Sequence, residues 1–384
     1  MERRSSPAQN VKQSGRFEAL DLLRLFAVGA VIAFHYGYRG AMGAEHLSVV
    51  WLPAFAPCFM YGYLGVKLFF VISGFVISFS AQNRSALQFA VARFCRIYPA
   101  FLFCMTVTFL FTLALGGEVF QASLAKWIAN ATMVVPAGKL QYTMDGAYWS
   151  IYAEIMFYGW IALLIAVGWF SRHLTMAIVI WLLISALNQL TLGSFIVEKL
   201  FVTDQSGFFA AGVMLFVLRA RETNLQNILV FCLATAFAVL QALDEASINV
   251  ILINAHLNSA TLVLLSIGCI ALVTAATAIK RVPLPSFLVV ALGGLTYPLY
   301  LLHQNIGYMI FNKIGNNMPA ETLVALVALA MLAVSYLTWR YIDRPGQRLM
   351  HQTFAKMPLF SQHTGSLQEA HVPKTPRASI NDLV

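Results

Sequence analysis

The chain has 384 residues, 59% of them hydrophobic and only 11% charged, whereas a water-soluble domain carries roughly twice that charged fraction. Its net charge of +9 comes from basic residues gathered in the termini and in short gaps between apolar runs, which is a topology signal and no footprint of nucleic acid. Soluble enzyme folds are thereby excluded as the main architecture, and the predicted class is an all-α polytopic membrane protein with about ten transmembrane helices.

Residues 1–19 are polar and basic and form the expected cytoplasmic N-terminus; the apolar run after them, 20–41, has no small-residue cleavage site, so it reads as a retained signal anchor. Arg24 and His35 lie on this first predicted helix eleven residues apart. That is about three turns, so both share a face roughly 16 Å apart. One helix then offers a cation near the inner end and a base farther out; the bland readings are a snorkelling arginine and a structural histidine. The second run, 60–80, contains Gly65-Val-Lys-Leu-Phe-Phe-Val-Ile-Ser-Gly-Phe75, in which Ser73 is a secondary site candidate and Lys67 is expected to snorkel at the outer end.

Next, Arg93-Phe-Cys-Arg-Ile-Tyr-Pro99 reads as a cytoplasmic connection whose Pro99 opens the third run, 97–116. Its two arginines, at i and i+3, share a face and suit the phosphates of an anionic cosubstrate, or else simply anchor the chain at the inner surface. Residues 117–146 form a long outer connection with an amphipathic piece at 124–135, expected to be re-entrant or interfacial. The fourth run, 147–168, carries Glu154 within Tyr148-Trp-Ser-Ile-Tyr-Ala-Glu-Ile-Met-Phe-Tyr158. A carboxylate there can orient a histidine and stabilise its protonated form, or pair with an arginine for structural reasons alone; Trp149 and Tyr152 beside it are further secondary candidates.

Runs 174–192, 205–218, 225–243 and 259–279 follow. Residues 282–294, bracketed by Pro283, Pro285 and Gly293-Gly294, predict a short interfacial helix ahead of the ninth run, 295–312. In that run Pro298 and Gly307 interrupt regular helix bonding around His303, another secondary candidate. After the tenth run, 320–342, the transmembrane domain of 20–346 gives way to a polar tail, 347–384, expected to be cytoplasmic and disordered. The predicted outer gaps hold only Arg39, Lys126, Lys139, Lys199 and Lys313, so both termini are expected in the cytoplasm. Five scattered cysteines, with no CxxC pair and no histidine cluster, read as packing residues, and no metal is expected.

Taken together and in this order, these segments resemble the membrane acyltransferase 3 family over about residues 16–346. The matching blocks are Leu20-Asp-Leu-Leu-Arg24 with His35 eleven residues on, Phe69 to Phe75, Arg93 to Pro99, Trp149 to Tyr158, Tyr297-Pro-Leu-Tyr-Leu-Leu-His303 and Asp343-Arg-Pro345. Departures are Leu22, where the family usually has glycine, and Lys67, where an acidic residue is frequent. Some relatives carry an additional SGNH hydrolase-like domain, which this sequence is expected to lack.

The resemblance implies O-acylation of a surface polysaccharide or lipid-linked oligosaccharide at the bacterial cytoplasmic (inner) membrane, with acyl-CoA, acetyl-CoA foremost, as donor substrate and no bound cofactor. The donor's phosphates would then meet Arg24, Arg93 and Arg96. His35, oriented by Glu154, would deprotonate the sugar hydroxyl, and both direct transfer and a covalent acyl-histidine stay open. The alternative from another class is a proton-coupled exporter or flippase of a glycolipid, with the intramembrane Arg, His and Glu as a relay. No internal repeat is visible in the sequence, which counts against a transporter.

Overall fold

The computed structural model describes residues 17–133, 143–279 and 281–357. Among them there is no β-strand, and ten helical segments are long and apolar enough to cross a membrane. Their main helices are α1 Glu18–Phe34, α2 Leu64–Ala81, α3 Ala86–Leu115, α4 Trp149–Ala166, α5 Leu174–Leu187, α6 Ser206–Ala220, α7 Leu225–Ile253, α8 Ser259–Ala278, α9 Ser286–Ile314 and α10 Ala320–Thr338. Helices are what apolar runs of this length must form in lipid, because every backbone polar group has to be satisfied within the segment. The expected ten spans are thus present, with two boundaries that differ instructively.

The first is α3, which begins at Ala86, well before the expected start at residue 97. A capping box sets that start: the Ser85 side chain accepts from the Gln88 amide at 3.2 Å and the Gln88 side chain accepts from the Ser85 amide at 3.1 Å. Pro99 therefore lies inside the helix, and the face that Arg93 and Arg96 share belongs to the third span itself and not to a connection ahead of it. In the turn that Pro99 weakens, the Tyr297 hydroxyl donates to the Ile97 carbonyl at 3.3 Å.

The second is α9. No separate interfacial helix forms over 282–294; a single helix of 29 residues runs through Pro298. Partners from other elements attend to its interrupted backbone. Tyr148 donates to the Leu301 carbonyl at 3.3 Å, Tyr36 donates to the His303 carbonyl at 2.6 Å, and the Asn305 amide donates to Asp145 at 2.9 Å. Asp145 is fully buried and also accepts from the Ala147 amide at 2.9 Å; burial pushes its carboxyl up to about 6.

The centre of the bundle is α6, α2 and α9 with α1 beside them, while α5, α7, α8 and α10 present rows of exposed leucines to the surroundings. Close approach of α2 and α6 depends on two glycines: a Cβ on Gly74 would strike the Phe209 carbonyl, and one on Gly212 the Val71 carbonyl. The amphipathic piece in the 117–146 connection is a helix, Leu124–Ala131, with Leu124 and Ile128 exposed and Trp127 tied to Thr106 at 3.1 Å. The rest of the expected re-entrant stretch, 134–142, lies outside the described residues. After α10 a π turn, Trp339–Asp343, leads into the helix Arg344–Ala355, whose Phe354 meets Phe94 of α3 at 6.3 Å between ring centroids. Residues 347–355 of the expected disordered tail are therefore helical, and 358–384 lie outside the described residues, as do 1–16.

Candidate active site

Helices α1, α2, α3, α4 and α9 enclose a cavity of about 270 Å³. Because α1, α3 and α9 run one way and α2 and α4 the other, the lining has two distinguishable ends. Arg24, Arg93 and Arg96 come from the early turns of α1 and α3 and gather at one end; Val66, Ser150 and Tyr300 lie toward the other. Arg24 pairs with Asp21 one turn earlier at 3.0 Å. Arg96 pairs at 3.2 Å with the buried Asp343, which also accepts from Gln347 at 2.8 Å, and its guanidinium lies over the Tyr297 ring. Arg93 lies over Phe89, and its buried Nε has no hydrogen-bond partner among the described residues. An unpaired guanidinium nitrogen held at a cavity is a costly arrangement that an anionic ligand would relieve.

Glu154 lines the same cavity. Its Oε1 accepts from Ser73 of α2 at 2.8 Å and from Tyr158, one turn on along α4, at 2.6 Å. Among the described residues no hydrogen bond joins Glu154 to His35, so the expected pairing of the two is not formed. The reason is positional: α4 turns this residue toward α2, whereas His35 lies at the far end of α1.

There, α1 passes into a π-helical turn, His35–Arg39, a local widening often found at functional positions. His35 Nδ1 is 2.8 Å from the hydroxyl of the buried Tyr308, and its ring meets that of His303 edge-on, 5.1 Å between centroids. His303 is fully buried, with Nδ1 2.8 Å from the Tyr300 carbonyl. A carbonyl only accepts, so Nδ1 carries the proton and donates it, which leaves Nε2 as a bare acceptor with no partner among the described residues. Tyr300 joins the two regions. Its ring lines the cavity, its hydroxyl is 2.7 Å from Ser150 Oγ, and its centroid is 5.7 Å from His303.

The remaining sequence candidates fall elsewhere. Lys67 does not snorkel: it is 1% exposed, donates to Gln205 at 2.6 Å, forms an ion pair with Glu245 and faces the rings of Trp149 and Phe208. Trp149 thus serves as the aromatic wall beside this lysine. Tyr152 lines a separate hollow of about 20 Å³ with Phe101 and Tyr148. Among the described residues no group of three or more His, Cys, Asp or Glu side chains could hold a metal ion.

The family model for the acyltransferase domain of the membrane acyltransferase 3 family matches residues 17–340. The chain belongs to this family. Nodulation protein 10 of Rhizobium leguminosarum bv. viciae is 25% identical to this acyltransferase over 381 residues, covering 90% of this chain and 98% of the relative. O-acetyltransferase OatA of Staphylococcus aureus is 35% identical over 107 residues, 26% of this chain and 15% of the relative. No solved structure matches.

Several groups at the acyltransferase's site were not singled out by sequence reasoning. Tyr308 carried no signal, and Tyr158 and Tyr300 carried only their place in the Trp149–Tyr158 and Tyr297–His303 blocks, because tyrosines are common in membrane spans and long-range packing selects these three. Asp343 likewise stood in the Asp343-Arg-Pro345 block, but its pairing with Arg96 spans 247 positions and is invisible along the chain.

Proposed function

We propose that this acyltransferase moves an acyl group, acetyl foremost, from cytoplasmic acyl-CoA to a hydroxyl of a surface polysaccharide or lipid-linked oligosaccharide at the bacterial inner membrane. The observation that supports it is the layout of the cavity: three arginines at one end, and at the other Tyr300 with His303 and His35 behind it. Acetyl is the choice because the staphylococcal relative is named an O-acetyltransferase.

In this reading Arg24, Arg93 and Arg96 hold the donor's phosphates by charge-assisted, bidentate hydrogen bonds. His35 gives its Nδ1 proton to the Tyr308 hydroxyl as a hydrogen bond, which leaves Nε2 to take the proton of the acceptor hydroxyl. The acceptor oxygen bonds to the thioester carbonyl carbon, the C–S bond breaks, and the departing CoA thiolate collects the proton from the imidazolium. His303, whose ring meets that of His35 edge-on and whose Nε2 has no partner among the described residues, is a second base beside it.

Radiolabelled acetyl-CoA and the protein purified in detergent provide the test. Turnover to free CoA, with label passing to an added glycan acceptor, is the expected result. A monodisperse preparation that turns over neither acetyl-CoA nor succinyl-CoA, yet moves glycolipid across liposome membranes, would establish the exporter instead.

A further inference from the structure

The arginines of the cavity only donate hydrogen bonds, yet a patch of its wall only accepts them. Glu154 Oε1 is engaged by Ser73 and Tyr158, whereas Oε2 has no hydrogen-bond partner among the described residues. All three side chains line the cavity. Ser73 and Tyr158 each spend their single O–H on Glu154, so what they offer to a ligand is lone pairs. A phosphate or carboxylate placed against this patch would be repelled, and an apolar chain would leave the carboxylate oxygen dry and unpaired. A ligand that suits the whole cavity is anionic at the arginine end and carries N–H or O–H donors partway along, ahead of its reacting group.

An acyl phosphate, or an acyl group on a lipid phosphate, has no such donors. The arm of CoA does: phosphates, then a hydroxyl and two amides, then the thioester. We propose that Glu154, flanked by Ser73 and Tyr158, is the binding site for an amide N–H of the donor's pantetheine arm, so that the cavity selects amide-bearing thioesters over acyl phosphates. Glu154 is then a donor-binding residue with no part in orienting His35. The proposal rests on the acyl-CoA reading above.

Binding to the purified full chain tests it, with CoA and two CoA analogues in which one or the other amide N–H is replaced by an ester oxygen. The swap keeps shape and removes one donor. At least one analogue is expected to bind wild type roughly ten-fold more weakly than CoA. Glu154→Leu is expected to weaken CoA by a similar factor and to treat CoA and that analogue alike, the signature of a shared interaction. Equal affinity of wild type for CoA and both analogues overturns the proposal whether or not the variant folds. So does a folded Glu154→Leu protein that still discriminates as wild type does. If wild type binds no CoA at all and acetyl phosphate supports transfer, the acyl-CoA reading itself falls and this site with it, a result distinct from the other two.

Discussion

His35 sits where three constraints meet: the π turn that ends α1, the Tyr308 hydroxyl at 2.8 Å and the edge-on ring of His303. An imidazole held this way needs no carboxylate partner to fix its orientation. Tyr308→Phe keeps the ring, including its stacking on Phe120 at 6.4 Å between centroids, and removes only the hydroxyl. It is expected to lower kcat roughly three- to ten-fold with donor KM unchanged. His35→Ala should cost about 10² to 10⁴ in rate with donor affinity retained. Steady-state kinetics in detergent compares the two, and a Tyr308→Phe protein with wild-type kcat would remove the tyrosine from any positioning role.

Between elements, the most unusual contact is the ion pair of Lys67 and Glu245, which bolts α2 to α7, with Gln205 just ahead of α6 as a third member. A lysine this deeply buried is retained only because it is paired, and removing one partner strands the other. Lys67→Met is therefore expected to destabilise the bundle by about 3 kcal/mol, and Lys67→Met combined with Glu245→Met to recover most of that loss. Thermal melting in detergent checks this; a double variant as unstable as the single one would mean that the lysine acts through its aromatic neighbours, Trp149 and Phe208.

For the molecule as a whole, an even number of spans would return the chain to the side from which it starts, and the distribution of basic residues predicts that this side is the cytoplasm. Reporter fusions placed after Lys280 and after Lys356 are expected to report the cytoplasm, and fusions near Lys139 and Lys313 the outside. The reversed pattern would turn the arginine end of the cavity outward and cut it off from the proposed cytoplasmic donor.

How much of this was legible in advance follows from what is local. Apolar run lengths, the Arg24 and His35 spacing on one helix, and the grouping of Arg93 with Arg96 depend on neighbours within a few turns, and the sequence alone determined them. The number of spans came with them, because lipid leaves a long apolar segment little choice but a helix. Pro99 and the Gly293-Gly294 pair misled for the same reason: locally each marks a helix boundary, whereas the helices run on through them, and distant partners such as Tyr297, Tyr36, Tyr148 and Asp145 bond the nearby backbone. Which ionisable groups share a site was decided by tertiary structure alone. Glu154 went to Ser73, Lys67 to Glu245, Arg96 to Asp343 and His35 to Tyr308. A buried charge or polar group must find a partner, but nothing along the chain says which helix will bring one within about 3 Å.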